Sequence, residues 1–184
     1  MKEFESSVVT IGGGKILPVA AVYGANASGK SNVYSAFEFM TAYVKKSFFY
    51  GDDDKTFADA RPTPFLFDSR ARNAESLFEV YFTIPGENAE KTYNYGFCID
   101  ETGITEEWLN TKAKSAREFK SVFYRNTEKQ ELDLRGIAKV SRDNIEVALN
   151  RQVLIISLGA KLKVEKCKQI RDWFLLNEFA DFGN

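Results

Sequence analysis

The segment Gly24–Ser31 constrains this chain more than any other part of its sequence. It reads GANASGKS, with glycine at the first and sixth positions and a lysine and a serine at the end. Glycine at these two positions permits backbone angles that a side chain forbids, so successive amides can turn inward around an anion. The spacing matches the phosphate-binding loop pattern GxxxxGK[ST].

The residues on either side of this loop support the same interpretation. The apolar run Ile16–Tyr23 precedes it and is typical of a buried strand in a parallel sheet, with the strand proper starting after Pro18. From Ser31 to about Phe48, apolar residues recur at helical spacing. The sequence therefore predicts a strand, a glycine-rich loop and a helix whose N-terminal amides also favour an anion.

Each polar residue at the end of the loop has a predicted role. Lys30 is expected to reach the β and γ phosphates of a nucleoside triphosphate, and the hydroxyl of Ser31 to coordinate Mg2+. The predicted cofactor-binding residues are Gly24, Ala25, Asn26, Ala27, Ser28, Gly29, Lys30, Ser31 and Asn32. Ser31 is the predicted metal ligand, and no catalytic residue is predicted. These residues recognise phosphates, so they do not distinguish ATP from GTP.

After the loop and its helix, the sequence pattern indicates first an irregular connection and then an antiparallel sheet. Gly51–Arg72 is predicted to be an irregular surface connection, in which Asp52–Asp54 form a solvated turn rather than a cation site. Alternating apolar residues then predict strands joined by short turns, as an antiparallel meander. The predicted strands are Leu77–Ile84, Thr92–Asp100, Ile104–Lys112 and Phe119–Arg125.

Helical spacing returns near the end of the chain. The predicted helices are Ser141–Asn150, Arg151–Lys161 and Val164–Phe179. Within the second of them, the short apolar run Val153–Leu158 could also be a buried strand. These changes predict three units: a strand-loop-helix unit at residues 1–50, a connection and antiparallel sheet at 51–135, and a helical region at 136–184.

Composition excludes several other kinds of site. The chain has 184 residues, no histidine, and two distant cysteines, Cys98 and Cys167. A zinc cluster, a disulfide framework and a Ser-His-Asp triad are therefore not expected, and both thiols are predicted to be reduced and structural.

The net charge of -1 gives no overall signature of a nucleic-acid binder, but leaves a local basic patch open. The apolar runs are too short to cross a bilayer, which predicts a cytoplasmic protein without membrane contact.

Three further groups of residues have both a structural and a functional interpretation. The alternating strand aromatics are expected to pack in the core rather than to form a platform for bases. They are Tyr93, Tyr95, Phe97 and Trp108. Glu106 and Glu107 are neighbours on a strand and face opposite sides, so both are predicted to be structural. A basic stretch is expected to be a solvated helix face rather than a phosphate contact. Its lysines are Lys161, Lys163, Lys166 and Lys168.

The segment Tyr23–Asn32 resembles the phosphate loop of ABC-type ATPases in the SMC, RecF and OLD group. It most resembles bacterial AAA-domain ATP-binding proteins that are found beside phage-defence genes. Weaker similarity extends over Pro64-Phe65, Leu77–Phe82, Tyr93–Phe97, Glu107–Leu109 and Asp172–Phe174. The resemblance implies an antiparallel sheet beside the loop, a helical lobe after it, and two heads that close around two ATP molecules.

The same resemblance implies cofactors and partners. ATP and Mg2+ are the expected cofactors, and a homodimer or another self-association through the ATPase head is expected. An effector protein, such as a nuclease or a toxin, is a further implied partner, and nucleic acid stays open for the full-length form. An incomplete sheet would also leave strand edges and apolar faces uncovered, which favours self-association.

Several elements of that family are not found in this sequence. It has no LSGGQ-like signature, no apolar strand ending in Asp-Glu (the Walker B element), and no switch histidine. Gln130 and Gln152 are the candidates for the family's metal-linking glutamine, and neither lies in a convincing context. We therefore expect an N-terminal piece of an incomplete ABC-type head, of α/β (α+β) class. It would bind Mg-ATP but hydrolyse it only near background by itself.

Two other functions stay open at this point. A small P-loop phosphotransferase would share the loop, but it needs lid arginines and a parallel sheet of several strands, which the predicted meander disfavours. A non-enzymatic interaction module would use the loop as a structural anion site. Mg-ATP raises the melting temperature only if it binds the folded chain, so a thermal shift distinguishes the module from the other two.

Overall fold

The N-terminal part of the fold consists of a short hairpin and one long helix. The computed structural model describes residues 8–11, 14–16, 21–26, 28–52, 57–58, 60–61, 74–84 and 91–179. Strands β1 (Val9–Ile11) and β2 (Gly14–Ile16) pair antiparallel. Helix α1 (Lys30–Lys46) continues into a 3-10 helix at Ser47–Asp52. The helix predicted from Ser31 to about Phe48 is thus confirmed.

A five-stranded antiparallel sheet follows in the chain. Its strands are β3 (Ser76–Phe82), β4 (Lys91–Asp100), β5 (Gly103–Ala113), β6 (Lys120–Asn126) and β7 (Glu131–Asp133). Each strand pairs with the next one along the chain, so the predicted meander is confirmed. Strand β7 was not predicted, because it is only three residues long and two of those residues are acidic.

The turn between β4 and β5 is closed by one carboxylate. Asp100 Oδ1 accepts the N–H groups of Thr102 at 2.7 Å and Gly103 at 3.0 Å. Its Oδ2 accepts a hydrogen bond from Arg151 Nη2 at 3.1 Å. Asp100 therefore ties this turn to the segment that leads into the C-terminal helices.

Three helices complete the described fold: α2 (Lys139–Ala148), α3 (Ile155–Lys161) and α4 (Glu165–Leu175). They confirm the predicted helical character of this region. They also show that the run Val153–Leu158 is not a buried strand. Val153 and Leu154 are not helical, and α3 begins at Ile155. No helix among the described residues is both long enough and apolar enough to cross a membrane.

The core lies between the sheet and the helices. Tyr93, Tyr95 and Phe97 of β4 are fully buried, so their predicted place in the core is confirmed. Trp173 stacks on Phe82 with ring centroids 4.0 Å apart, which joins α4 to the edge of the sheet. Burying a large apolar side chain stabilises a fold by about 1.5–3 kcal/mol, so this aromatic packing contributes much of the stability.

Trp108 differs from the other predicted core aromatics. It pairs with Gly96 across β4 and β5, and its ring lies where a side chain at position 96 would stand. It is half-buried, and its Nε1 donates to Glu79 Oε1 at 3.2 Å. This residue therefore covers the outer face of the sheet.

The strand predicted at Ile16–Tyr23 is wrong where the structure describes it. Only Ile16 belongs to a strand, and residues 17–20 lie outside the described residues. Residues 21–23 are not in a strand, and Val22 and Tyr23 are 66% and 90% exposed. A buried strand needs neighbouring strands for its N–H and C=O groups. Ile16 pairs with Val9 of β1, but none of the described strands pairs with residues 21–23. Most of the predicted connection Gly51–Arg72, including Asp53 and Asp54, also lies outside the described residues.

Candidate functional site

The predicted anion loop lies directly before helix α1. The chain turns at Asn26 and enters the helix after Gly29, which has φ 88 and ψ 8. This left-handed conformation favours glycine strongly over other residues, which explains why the sequence has glycine there. Ser28 N–H donates to Ala25 O at 3.2 Å, so the loop folds back on itself before the helix begins.

The start of α1 offers backbone donors. The first N–H groups of an α-helix have no partner within the helix. Asn32 N–H turns back to Gly29 O at 3.0 Å, whereas the amides of Gly29, Lys30 and Ser31 lie ahead of the helical ladder. No side chain caps this end, and its first turn has no acidic residue. The positive end of the helix dipole therefore faces the loop without a carboxylate in the first turn of α1 to compete for it.

Lys30 folds back over the loop. Its Nζ donates to Gly24 O at 2.7 Å and to Ala25 O at 2.6 Å, and it lies 3.5 Å from Ser28 Oγ. The carbonyl groups are six and five residues earlier in the chain, so these contacts require the closed shape of the loop. They hold the Lys30 ammonium group on the loop that leads into α1.

A side chain at the first position of the loop would meet the hydroxyl of Ser28. A Cβ atom added to Gly24 would lie 2.6 Å from Ser28 Oγ. The backbone angle predicted for both loop glycines is found at Gly29 but not at Gly24, whose φ is not positive. Any larger residue at position 24 would displace Ser28 or open the turn.

The structure brings the described members of the predicted site together at one end of α1. Gly24, Ala25, Asn26 and Ser28 lie in the exposed loop. Gly29 is the N-cap, and Lys30, Ser31 and Asn32 form the first turn of the helix. Ala27 lies outside the described residues.

The two candidate glutamines lie elsewhere. Gln130 is exposed in the turn between β6 and β7, with φ 54. Gln152 contributes its backbone carbonyl, which accepts a hydrogen bond from Tyr43 OH at 2.8 Å. Within the described part of the chain, no group of three or more His, Cys, Asp or Glu residues could hold a metal ion.

The other end of α1 is fixed by buried hydrogen bonds. Ser47 Oγ donates to Ser157 Oγ at 2.8 Å and accepts Leu154 N–H at 3.2 Å. Both serine side chains are buried. These bonds, with that of Tyr43 to Gln152, attach the C-terminal end of α1 to the start of α3, whereas the N-terminal half of α1 is largely exposed. The helix that follows the loop is therefore held at its far end.

Glu107 attaches this assembly to the sheet. It is fully buried and accepts Ile155 N–H at 2.8 Å and Ile156 N–H at 3.3 Å, so it caps α3 from strand β5. Its cross-strand partner Arg125 donates Nη2 at 3.1 Å and is itself 5% exposed. Burial raises the pKa of Glu107, while the charge of Arg125 and the two helix amides act in the opposite direction.

Both neighbouring glutamates were predicted to be structural, and the structure agrees. Glu106 faces the other side of the sheet, is half-buried and accepts a hydrogen bond from Tyr124 OH. The importance of Glu107 was missed. The available signal for Glu107 was its position as a charged residue between Thr105 and Leu109, which lie on the same face of the strand and are both buried.

A comparison with protein families matches residues 19–155 to the family described as "AAA domain, putative AbiEii toxin, Type IV TA system". The match covers well over half of the chain and extends from the segment before the loop to the first residue of α3. No curated protein and no solved structure matches the chain. Because the family match, the mixed α/β fold and the glycine-rich loop agree, the chain belongs to this family of AAA-type domains, whose P-loop NTPase character indicates nucleotide binding.

Proposed function

We propose that Gly24–Ser31 is the Walker A loop of an ABC-type ATPase head and binds Mg-ATP. The observation that carries this proposal is the position of the Lys30 ammonium, held on the carbonyls of Gly24 and Ala25 in the loop that leads into the uncapped start of α1. A full charge, uncapped amides and a helix dipole at one point favour a polyphosphate. ATP is preferred over GTP because of the resemblance alone.

The residues present fit the triphosphate and its metal ion. Lys30 would exchange two neutral carbonyl acceptors for phosphate oxygens, which form stronger charge-assisted hydrogen bonds. Ser31 lies in the first turn of α1, where its hydroxyl would be the ligand that the protein supplies to Mg2+. Bound Mg2+ would neutralise part of the phosphate charge.

We further propose that this chain by itself hydrolyses ATP only near background. Phosphoryl transfer needs water held in line and charge neutralised on the γ phosphate. The 184 residues contain no histidine, no LSGGQ-like signature and no apolar strand ending in Asp-Glu. Lys30 and Ser31 supply binding, whereas hydrolysis requires the Walker B and signature elements.

The proposed partner is a second copy of this chain. In ABC-type ATPases a nucleotide lies between two heads, and apolar surface next to the loop helix would suit such a contact. A groove between α1 and β3 is lined by apolar residues and Glu79, and among the apolar residues Val33 and Leu77 are 66% and 64% exposed. The family description names a toxin, so an effector of the toxin or nuclease type is part of the proposal.

Isothermal titration calorimetry with Mg-ATP tests the binding site. Lys30→Ala is expected to abolish measurable binding, because a hydrogen bond to a charged group contributes about 1.5–3 kcal/mol and this lysine makes several. Lys46→Ala is the matched control, since it removes an exposed lysine from the other end of α1. Affinity that is equal in the two variants would refute the assignment of the loop.

A thermal shift separates the remaining alternatives. Mg-ATP at a hundred times its Kd stabilises the folded state by about 2.7 kcal/mol, which is a clear rise in melting temperature. If millimolar Mg-ATP gives no shift with the unmodified chain, the loop is a structural anion site in an interaction module. Phosphate release that depends on Lys30 would overturn the proposal that the chain alone is inactive.

A further inference from the structure

A basic cavity of about 470 Å³ lies at the far end of α1 from the loop. It is enclosed by the end of α1, the 3-10 helix, α3 and α4. Its charged residues are Lys45, Lys161, Lys163, Lys168, Arg171 and Glu165. Five cations thus face one carboxylate, although the whole chain has a net charge of only -1. The positive charge is local to this cavity, so it attracts an anion without making the whole protein basic.

The basic stretch seen in the sequence is only partly a solvated helix face. Lys161, Lys163 and Lys168 are exposed, as predicted, but they surround the same cavity as Lys45 and Arg171. Arg171 is oriented by a hydrogen bond from its Nη2 to Lys45 O at 3.4 Å. Residues more than a hundred positions apart in the chain therefore form one cationic surface.

Lys163 has an unusual backbone conformation at this cavity. Its φ is 61, and its N–H donates to Ala160 O at 3.1 Å while Val164 N–H donates to Gly159 O at 2.8 Å. This is the left-handed end of a helix, where glycine is the usual residue and a lysine is disfavoured. Strained residues of this kind occur often at binding sites, and here the strain directs a cation towards the cavity.

An aromatic surface lies beside the cations. Phe48 and Phe49 line the cavity, and Phe49 is 58% exposed. Lys161 Nζ lies 5.0 Å and 5.8 Å from the centroids of the two rings. Proteins that bind single nucleic-acid strands combine cations for the backbone with an exposed ring on which a base stacks.

We propose that this cavity binds a single strand of nucleic acid, with its phosphates on the lysines and Arg171 and one base on Phe49. The volume lies within the range of about 300–1,000 Å³ that accommodates small ligands, which suits one nucleotide of a strand. An acidic peptide is less suitable, because the walls are helices and offer no strand edge to pair with an extended chain. The proposal does not depend on ATP binding at the loop.

Fluorescence anisotropy with labelled dT12 and rU12, at low and moderate salt, tests this proposal. Lys163→Gly is the most informative variant, because it removes one cation while glycine relieves the backbone strain at this position. We expect its affinity to fall at least about five-fold, and the slope of log K against log salt to become shallower by about 0.7, the contribution of one phosphate contact. Phe49→Ala should lose about five-fold or more through stacking.

The controls separate this site from other effects. Lys120→Gln removes an exposed lysine from β6, and Lys30→Ala removes the loop lysine; both should leave the affinity for dT12 unchanged. Urea midpoints of all variants check that the fold is retained. The proposal is overturned if the unmodified chain gives no anisotropy change, or if Lys163→Gly and Lys120→Gln behave alike. Displacement of dT12 by polyglutamate at equal charge, with no effect of Phe49→Ala, would instead assign the cavity to an acidic protein partner.

Discussion

Removing the carboxylate of Glu107 is expected to break the hydrogen bonds that attach α3 to the sheet. Glu107→Ala removes the acceptor of four buried donors: Tyr95 OH, Arg125 Nη2, Ile155 N–H and Ile156 N–H. Arg125 Nη2 keeps its hydrogen bond to Val153 O at 3.0 Å but loses its ion pair. Breaking a buried ion pair by removing one partner typically costs about 3–5 kcal/mol, because the other charge stays buried and unpaired. A domain has a free energy of unfolding of about 5–15 kcal/mol, so this single substitution would remove a large part of it.

Glu106→Ala is a matched control for that experiment. It removes the same side chain from the adjacent position of β5, but Glu106 faces the other side of the sheet and accepts a hydrogen bond from Tyr124 OH. Losing this half-buried contact should cost about 1 kcal/mol. The difference between the two variants therefore measures the effect of burial and of the connection to α3.

Urea denaturation followed by tryptophan fluorescence provides the measurement, since Trp173 is packed in the aromatic core. With a slope m of about 1–3 kcal/mol per molar urea, a loss of 3–5 kcal/mol lowers the midpoint by at least about 1 M. The slope should not change if both variants unfold in one transition. A Glu107→Ala midpoint within experimental error of Glu106→Ala would refute the idea that this carboxylate connects sheet and helix.

Three further predictions follow from buried and exposed groups. Burial raises the pKa of Asp100, but hydrogen bonds at the β4–β5 turn outweigh burial, so the net pKa is lowered. The ionised carboxylate therefore stabilises the fold above about pH 4, and this stabilisation is lost as the pH falls below that value. Asp100→Asn should cost about 1 kcal/mol in urea melts at pH 7, and a cost that persists at low pH would contradict this. Burial raises the pKa of Cys98 and Cys167 to about 12, so both thiols should react with a disulfide reagent at pH 8 only as the chain unfolds; rapid labelling of the native protein would show otherwise. In sedimentation velocity, Mg-ATP should convert monomer to dimer and Leu77→Glu should prevent it, whereas a monomer under all conditions would refute the proposed self-association.

The sequence by itself determined the local elements of this fold. The meander strands from β3 to β6, the helix after the loop and the helical end of the chain follow from periodicity, because alternating or helical spacing reflects the geometry of a single element. Gly29 was predictable for the same reason, since the positive φ of one turn residue is a local property, whereas Gly24 does not have the predicted backbone angle. Both cysteines are free and buried, in agreement with the prediction of structural thiols.

Only the tertiary structure decided how these elements use their polar groups and which apolar runs find a partner. The run Ile16–Tyr23 is apolar enough for a strand, yet its described residues 21–23 have no neighbouring strand, and hydropathy does not supply one. Glu107 became a helix cap because the register of β5 directs it at the start of α3, 48 residues later in the chain. The cationic cavity likewise joins Lys45 to the α3–α4 turn. Contacts between distant segments depend on packing and register, which no local pattern contains.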